Sequence, residues 1–98
     1  MSWKKVGEIG VDAGLCMVGD PCYASYPDHP DHPIHNWDKF CESLKEHDKQ
    51  HPQQATAMQI DQRTGVVVST GYGDGIYPVF ARYNADGRIV GLKVDFDV

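Results

Sequence analysis

The clearest pattern lies at the end of the chain, where Val90, Leu92, Val94, Phe96 and Val98 alternate with Gly91, Lys93, Asp95 and Asp97. A period of two puts the apolar set on one face of a half-buried β-strand over residues 88–98. Before it, Asn84-Ala85-Asp86-Gly87 is a turn cluster of residues that tolerate left-handed backbone, and it closes a hairpin onto residues 76–83. Pro78 has no N–H for a ladder, so that partner should be an edge strand, or Pro78 should mark its entry into the sheet. Residues 55–61 and 65–70, the latter with β-branched Val66, Val67 and Val68, predict a second hairpin around residues 61–65. These four strands read as an antiparallel meander. Residues 6–11 and 15–18 predict a weaker hairpin around Asp12-Ala13-Gly14.

Between the two β blocks the period changes. Trp37, Phe40, Cys41 and Leu44 fall on one side of a helix over residues 37–50, with Asn36 as N-cap and Pro52 as the stop. The expected fold is α+β and mostly β, in the order ββ-α-ββββ. It is expected to be a small, partly open antiparallel barrel or bent sheet with the helix packed over it. With 98 residues the chain has room for one modest core, so residues 1–98 are expected to form a single domain. Residues 20–35, with four prolines and little apolar content, are expected to form a long irregular loop.

Composition narrows the function classes. The net charge is −5 and the nine basic residues are scattered, which argues against a phosphate-tracking nucleic-acid surface. No apolar run approaches the roughly 20 residues of a membrane span, and the first residues carry no apolar stretch of the kind found in secretion signals. Three cysteines, Cys16, Cys22 and Cys41, are odd in number and lack CxxC spacing, a pattern that fits thiols in a reducing cytoplasm.

Four segments carry candidate chemistry. Asp28-His29-Pro30-Asp31-His32-Pro33-Ile34-His35 holds His29, His32 and His35, residue types that ligate zinc and related ions. Proline at every third position favours polyproline II, however, which separates those imidazoles by roughly 9 Å per step at about 3.1 Å rise. Ligands of one tetrahedral ion lie much closer together, so a stiffened, solvated loop competes with the metal reading. His47 and His51, an i, i+4 pair, could grip a metal from one helical face, but a position near the helix C-terminus favours histidine through the macrodipole alone. In Gly19-Asp20-Pro21-Cys22-Tyr23, Cys22 could act as a nucleophile beside a loop histidine, or Asp20 could simply start a turn by accepting backbone N–H groups. Thr70-Gly71-Tyr72-Gly73-Asp74-Gly75-Ile76-Tyr77-Pro78 is glycine-dense without the Lys-Ser/Thr of a phosphate loop. It predicts a sharp β corner, with Asp74 at its tip available to a ligand or to the first hairpin.

Val11-Asp12-Ala13-Gly14-Leu15 leading into Gly19-Asp20-Pro21-Cys22-Tyr23, then Gly73-Asp74-Gly75-Ile76-Tyr77-Pro78-Val79 and Gly87-Arg88-Ile89-Val90, with a last strand ending in Phe96, resemble short bacterial and phage proteins of the domain-of-unknown-function 4241 type. The resemblance implies a compact β fold in a bacterial or phage setting, and brings no catalytic residue with it. The middle of the chain, residues 24–51, lies outside it.

A non-catalytic binding module is the leading expectation, such as a phage or prophage accessory protein acting on a host protein. It would engage a protein partner or a second copy of itself, and would need no cofactor. Tyr23, Tyr26, Trp37, Tyr72 and Tyr77, of the residue types that anchor interfaces, are its candidate contacts. The alternative is a metal-dependent or Cys-His hydrolase of a small molecule. It would gather Asp20, Cys22, His29, His32, His35 and Asp74 around one pocket, with zinc or another divalent ion as cofactor.

Overall fold

The computed structural model describes residues 2–24, 36–52, 56–61 and 65–97. The predicted turn residues 62–64 and the predicted His29, His32, His35 and Tyr26 positions lie outside them. Among the described residues six strands, one four-residue helical turn and one long helix form two compact units, the first made of residues 1–14 and 70–98, the second of residues 15–69. The α+β, mostly β expectation holds, but as two open three-stranded antiparallel sheets, one in each unit.

The first unit contains β1 (Trp3–Val11), β5 (Gly75–Tyr83) and β6 (Ile89–Val94), in the order β1-β5-β6. The second contains β2 (Leu15–Val18), α1 (Pro21–Ala24), α2 (Trp37–Gln50), β3 (Ala57–Asp61) and β4 (Gly65–Ser69), with strand order β2-β4-β3. The β3–β4 and β5–β6 hairpins form as their patterns predict. Two other pairings differ from expectation. β1 does not turn back onto β2, and β4 does not pair with β5; instead β1 pairs with β5 and β2 with β4. Length explains the exchange. β1 and β5 both have nine residues and can pair end to end, whereas four-residue β2 could satisfy only part of β1 and is matched by five-residue β4.

The edge assignment of residues 76–83 is also corrected, because β5 is the central strand of its sheet. Pro78 is tolerated there because of the direction in which its backbone points. Its carbonyl accepts the Asp95 N–H (3.2 Å), so the missing N–H faces the β6 side just where that strand has ended at Val94. At the other end, Asn84 shapes the β5–β6 turn, its Oδ1 accepting the N–H groups of Asp86 and Arg88 while Gly87 takes φ +79°.

The last strand is shorter and less buried than its alternation predicts. β6 stops at Val94, Val90 is the extra residue of a bulge opposite Arg82/Tyr83, and Leu92 remains 55% exposed. Its apolar positions lie at a sheet edge, where only one side has a neighbouring strand.

In the second unit the long helix forms over the predicted residues. Asn36 accepts the Lys39 N–H (3.1 Å), and the helix ends at Gln50, two residues before Pro52. Phe40 and Leu44 pack with Val67, the central residue of the central strand, and with Leu15, Met58 and Ile60. Trp37 stays half exposed at the start of the helix, tilted against Phe40 at 5.5 Å. The predicted irregular loop begins instead with α1: Asp20 caps it by accepting the Cys22 N–H (2.9 Å), and Pro21 occupies the first helical position, where no donor is needed.

Candidate functional site

The predicted site residues fall in different places. In the first unit, Asp74 accepts the Gly14 N–H (2.8 Å), holding the link after β1. Gly73 O accepts both the Tyr77 hydroxyl and the Thr70 hydroxyl, each at 2.7 Å. Tyr77 is buried, with Phe96 edge-on at 5.2 Å, whereas Tyr72 is exposed and donates to Asp97 (3.2 Å). These contacts close the glycine-rich corner on itself. In the second unit, Asp20 serves α1, Tyr23 belongs to that turn, and Cys22 is exposed.

The His47/His51 pair is stacked at 4.4 Å near the end of α2. His51 Nδ1 lies 2.9 Å from His47 O, and Asp48 lies 3.4 Å from His47 Nδ1. Asp48 also accepts the Thr56 hydroxyl at 2.6 Å; this bond first, then the neighbouring histidines, holds its carboxyl below the usual carboxylate range. Among the described residues no group of three or more His, Cys, Asp or Glu side chains is placed to hold a metal ion.

A denser cluster of exposed chemistry lies on one face of the first unit's sheet, at residues the sequence patterns do not single out. The register sets two adjacent rows across the three strands, Trp3–Arg82–Gly91 and Lys5–Phe80–Lys93. Residues directly opposite in antiparallel strands share a face. Because Gly91 has no side chain, the Trp3 indole can lie across its row as far as β6; a Cβ at Gly91 would stand 3.2 Å from the far end of the indole. Two cations use this surface. The Arg82 guanidinium lies 5.6 Å from the Trp3 ring centre, while the Lys93 ammonium sits 5.1 Å from Trp3 and 4.8 Å from Phe80.

Ring faces attract cations through their quadrupole, but do not neutralise them. Beside this pair Lys5 meets Glu8 at 3.6 Å, so that charge is compensated. Among the described residues Arg82 and Lys93 have no carboxylate within ion-pair distance, and Arg82 Nε is buried without a hydrogen-bond partner. The face therefore presents two positive heads against an aromatic floor.

Only β1–β5 pairing brings residue 3 beside residues 80, 82 and 93, which is why no local spacing announces the cluster. The one signal in the sequence is Phe80-Ala81-Arg82, where two large side chains flank a small one and so share a face.

Among the described residues no helix is long and apolar enough to cross a membrane. No match was found among curated proteins or among solved structures. A family model described as "Protein of unknown function (DUF4241)" matches residues 7–94, nearly the whole chain, and the protein therefore belongs to the DUF4241 family.

Proposed function

We propose that the protein is a non-catalytic binding module that recognises an acidic protein segment on the Trp3–Phe80–Arg82–Lys93 face. The observation that supports it is the pair of cations, Arg82 and Lys93, held by aromatic rings and lacking carboxylate partners among the described residues. Trp and Arg are among the residue types that contribute most to protein interfaces, and a guanidinium pairs strongly with a carboxylate. Two such cations suit a short acidic stretch. A nucleic-acid backbone would ask for many more, and the chain as a whole is acidic. The odd number of cysteines supports a reducing cytoplasmic setting for this module.

Trp3 provides the readout. In a Trp37→Phe background it is the only indole, and hexaglutamate titrated at low ionic strength should change its emission saturably. Added salt should weaken the effect, and Lys93→Gln should abolish most of it. Inorganic phosphate serves as the arm that separates a general oxyanion site from one that needs a peptide. An emission unaffected by hexaglutamate, or equally affected in Lys93→Gln, would overturn the proposal.

A further inference from the structure

The partner that this face fits can be named from the adjoining sheet edge. β6 is the terminal strand of its sheet, with Ile89 63% and Leu92 55% exposed. Each edge strand has one irregularity in register, at Val6 of β1 and Val90 of β6, and β1 adds two lysines, Lys4 and Lys5, a residue type that discourages further strand pairing. β6 has one lysine, Lys93, which lies over the Trp3 and Phe80 rings on the sheet face, as Lys4 lies over Tyr83.

The direction of the β6 backbone groups follows from its pairing. Asp95 donates to Pro78, and Lys93 and Gly91 follow at two-residue steps opposite Phe80 and Arg82, so these residues turn their N–H and C=O groups toward β5. Leu92 and Val94 then turn theirs to the open edge. An antiparallel partner must satisfy those outward groups as hydrogen-bonded pairs. If the partner is an identical strand, a twofold axis through a Val94–Val94 pair does so. That register sets Lys93 opposite Asp95, whose Oδ1 accepts the Asp97 N–H of its own chain (3.0 Å) and whose other oxygen is left to meet the ammonium. The residue that follows Val94 thus offers a carboxylate to the cationic face.

We propose that β6 pairs with β6 of a second copy of this chain about Val94, and that the second copy's Asp95 is the carboxylate that meets Lys93. The proposal rests on the reading of the Trp3 face as an acidic-segment site, and assigns that segment to the protein's own C-terminal residues. Charge complementarity selects the register. Moving the axis to residue 93 would oppose two lysines and direct the wrong backbone groups across the gap.

Sedimentation of the full chain at low ionic strength should show a concentration-dependent rise from 10.9 kDa toward twice that mass. Lys93→Asp and Asp95→Lys each create like-charged opposites, and each should weaken self-association at least about tenfold. Mixed in equal amounts, the two variants again set a carboxylate opposite an ammonium on both sides of the axis, and should form a heterodimer. This arm also separates a lost interface from a lost fold. Self-association that survives both substitutions, or a mixture that stays monomeric, would overturn the proposal. A wild-type chain that stays monomeric while hexaglutamate still saturates Trp3 overturns the assignment to a second copy and leaves the acidic-segment site standing; failure of both measurements removes both.

Discussion

The Trp3 indole reaches across β5 to β6 because residue 91 is glycine. A Cβ there would lie 3.2 Å from Cη2 of the ring and 3.4 Å from Arg82 Nε. The backbone at Gly91 belongs to a paired strand, so what matters at this position is the space above it rather than conformational freedom. The ring also provides the surface on which both cations rest.

Gly91→Val is therefore expected to displace Trp3 without dismantling the sheet, since valine favours strands and the tightest contact its Cβ makes, at 3.2 Å, is with the far end of the Trp3 indole. In a Trp37→Phe background, the Trp3 emission should shift to the red as the indole becomes solvated, and hexaglutamate binding should weaken several-fold. Unchanged emission would show that the indole does not depend on Gly91 for its position.

Gly65 has a different requirement. It takes φ +108° at the start of β4, and an added Cβ would collide with the Val18 carbonyl across the β2–β4 pair. Backbone, unlike a side-chain tip, cannot step aside. Gly65→Ala should cost about 2–4 kcal/mol in a chemical denaturation experiment, from strained φ together with the steric clash.

The Gly73 corner and Asp74 give a test of structural against chemical roles. Tyr77→Phe removes a hydroxyl donated to Gly73 O and should cost about 1 kcal/mol while keeping the ring against Phe96. Asp74→Ala releases the Gly14 N–H at the protein surface and should cost a similar amount, about 1 kcal/mol. Both variants should retain hexaglutamate binding, because neither side chain belongs to the Trp3 cluster. A loss of stability in neither variant would remove the structural account of this corner.

How much of this was legible in the sequence depended on how far apart the interacting residues are. The helix could be placed from Asn36 to Pro52 because its cap, its apolar stripe and its stop are all local. The two C-terminal hairpins carry their own turns, and both formed. β1 and β2 also looked like a hairpin, being adjacent in sequence around Gly14, yet each pairs with a strand of matching length far along the chain. Pro78 misled for a related reason, since whether its missing donor matters depends on where a neighbouring strand ends. The cationic cluster was hidden by the same non-local pairing, while the prominent Asp20 and Asp74 turned out to hold backbone.

Cys16 is buried in β2, and burial pushes its thiol pKa up, so the thiolate needed for alkylation is scarce as well as inaccessible. Cys41 on α2 is half-buried. With a maleimide under native conditions Cys41 should label well before Cys16, and Cys16 should label at a rate set by opening of the β2–β4–β3 sheet. Mass spectrometry of digested, time-quenched samples reads both; equal rates would contradict the burial of Cys16.

Acid should find a specific weak point at the end of α2. Asp48 is held below the usual carboxylate range chiefly by the Thr56 hydroxyl, with His47 and His51 also favouring its ionised form. A carboxyl with a depressed folded pKa binds a proton less readily folded than unfolded. Its contribution to stability is therefore fully present above the usual carboxylate range, and is lost as pH falls through that range to the depressed folded value. Thr56→Val removes the leading cause and leaves the histidines in place. Denaturation midpoints of the wild type and this variant should differ most at neutral pH and draw together on acidification through the carboxylate range. Parallel curves over that interval would show that the Thr56–Asp48 bond is not linked to proton binding.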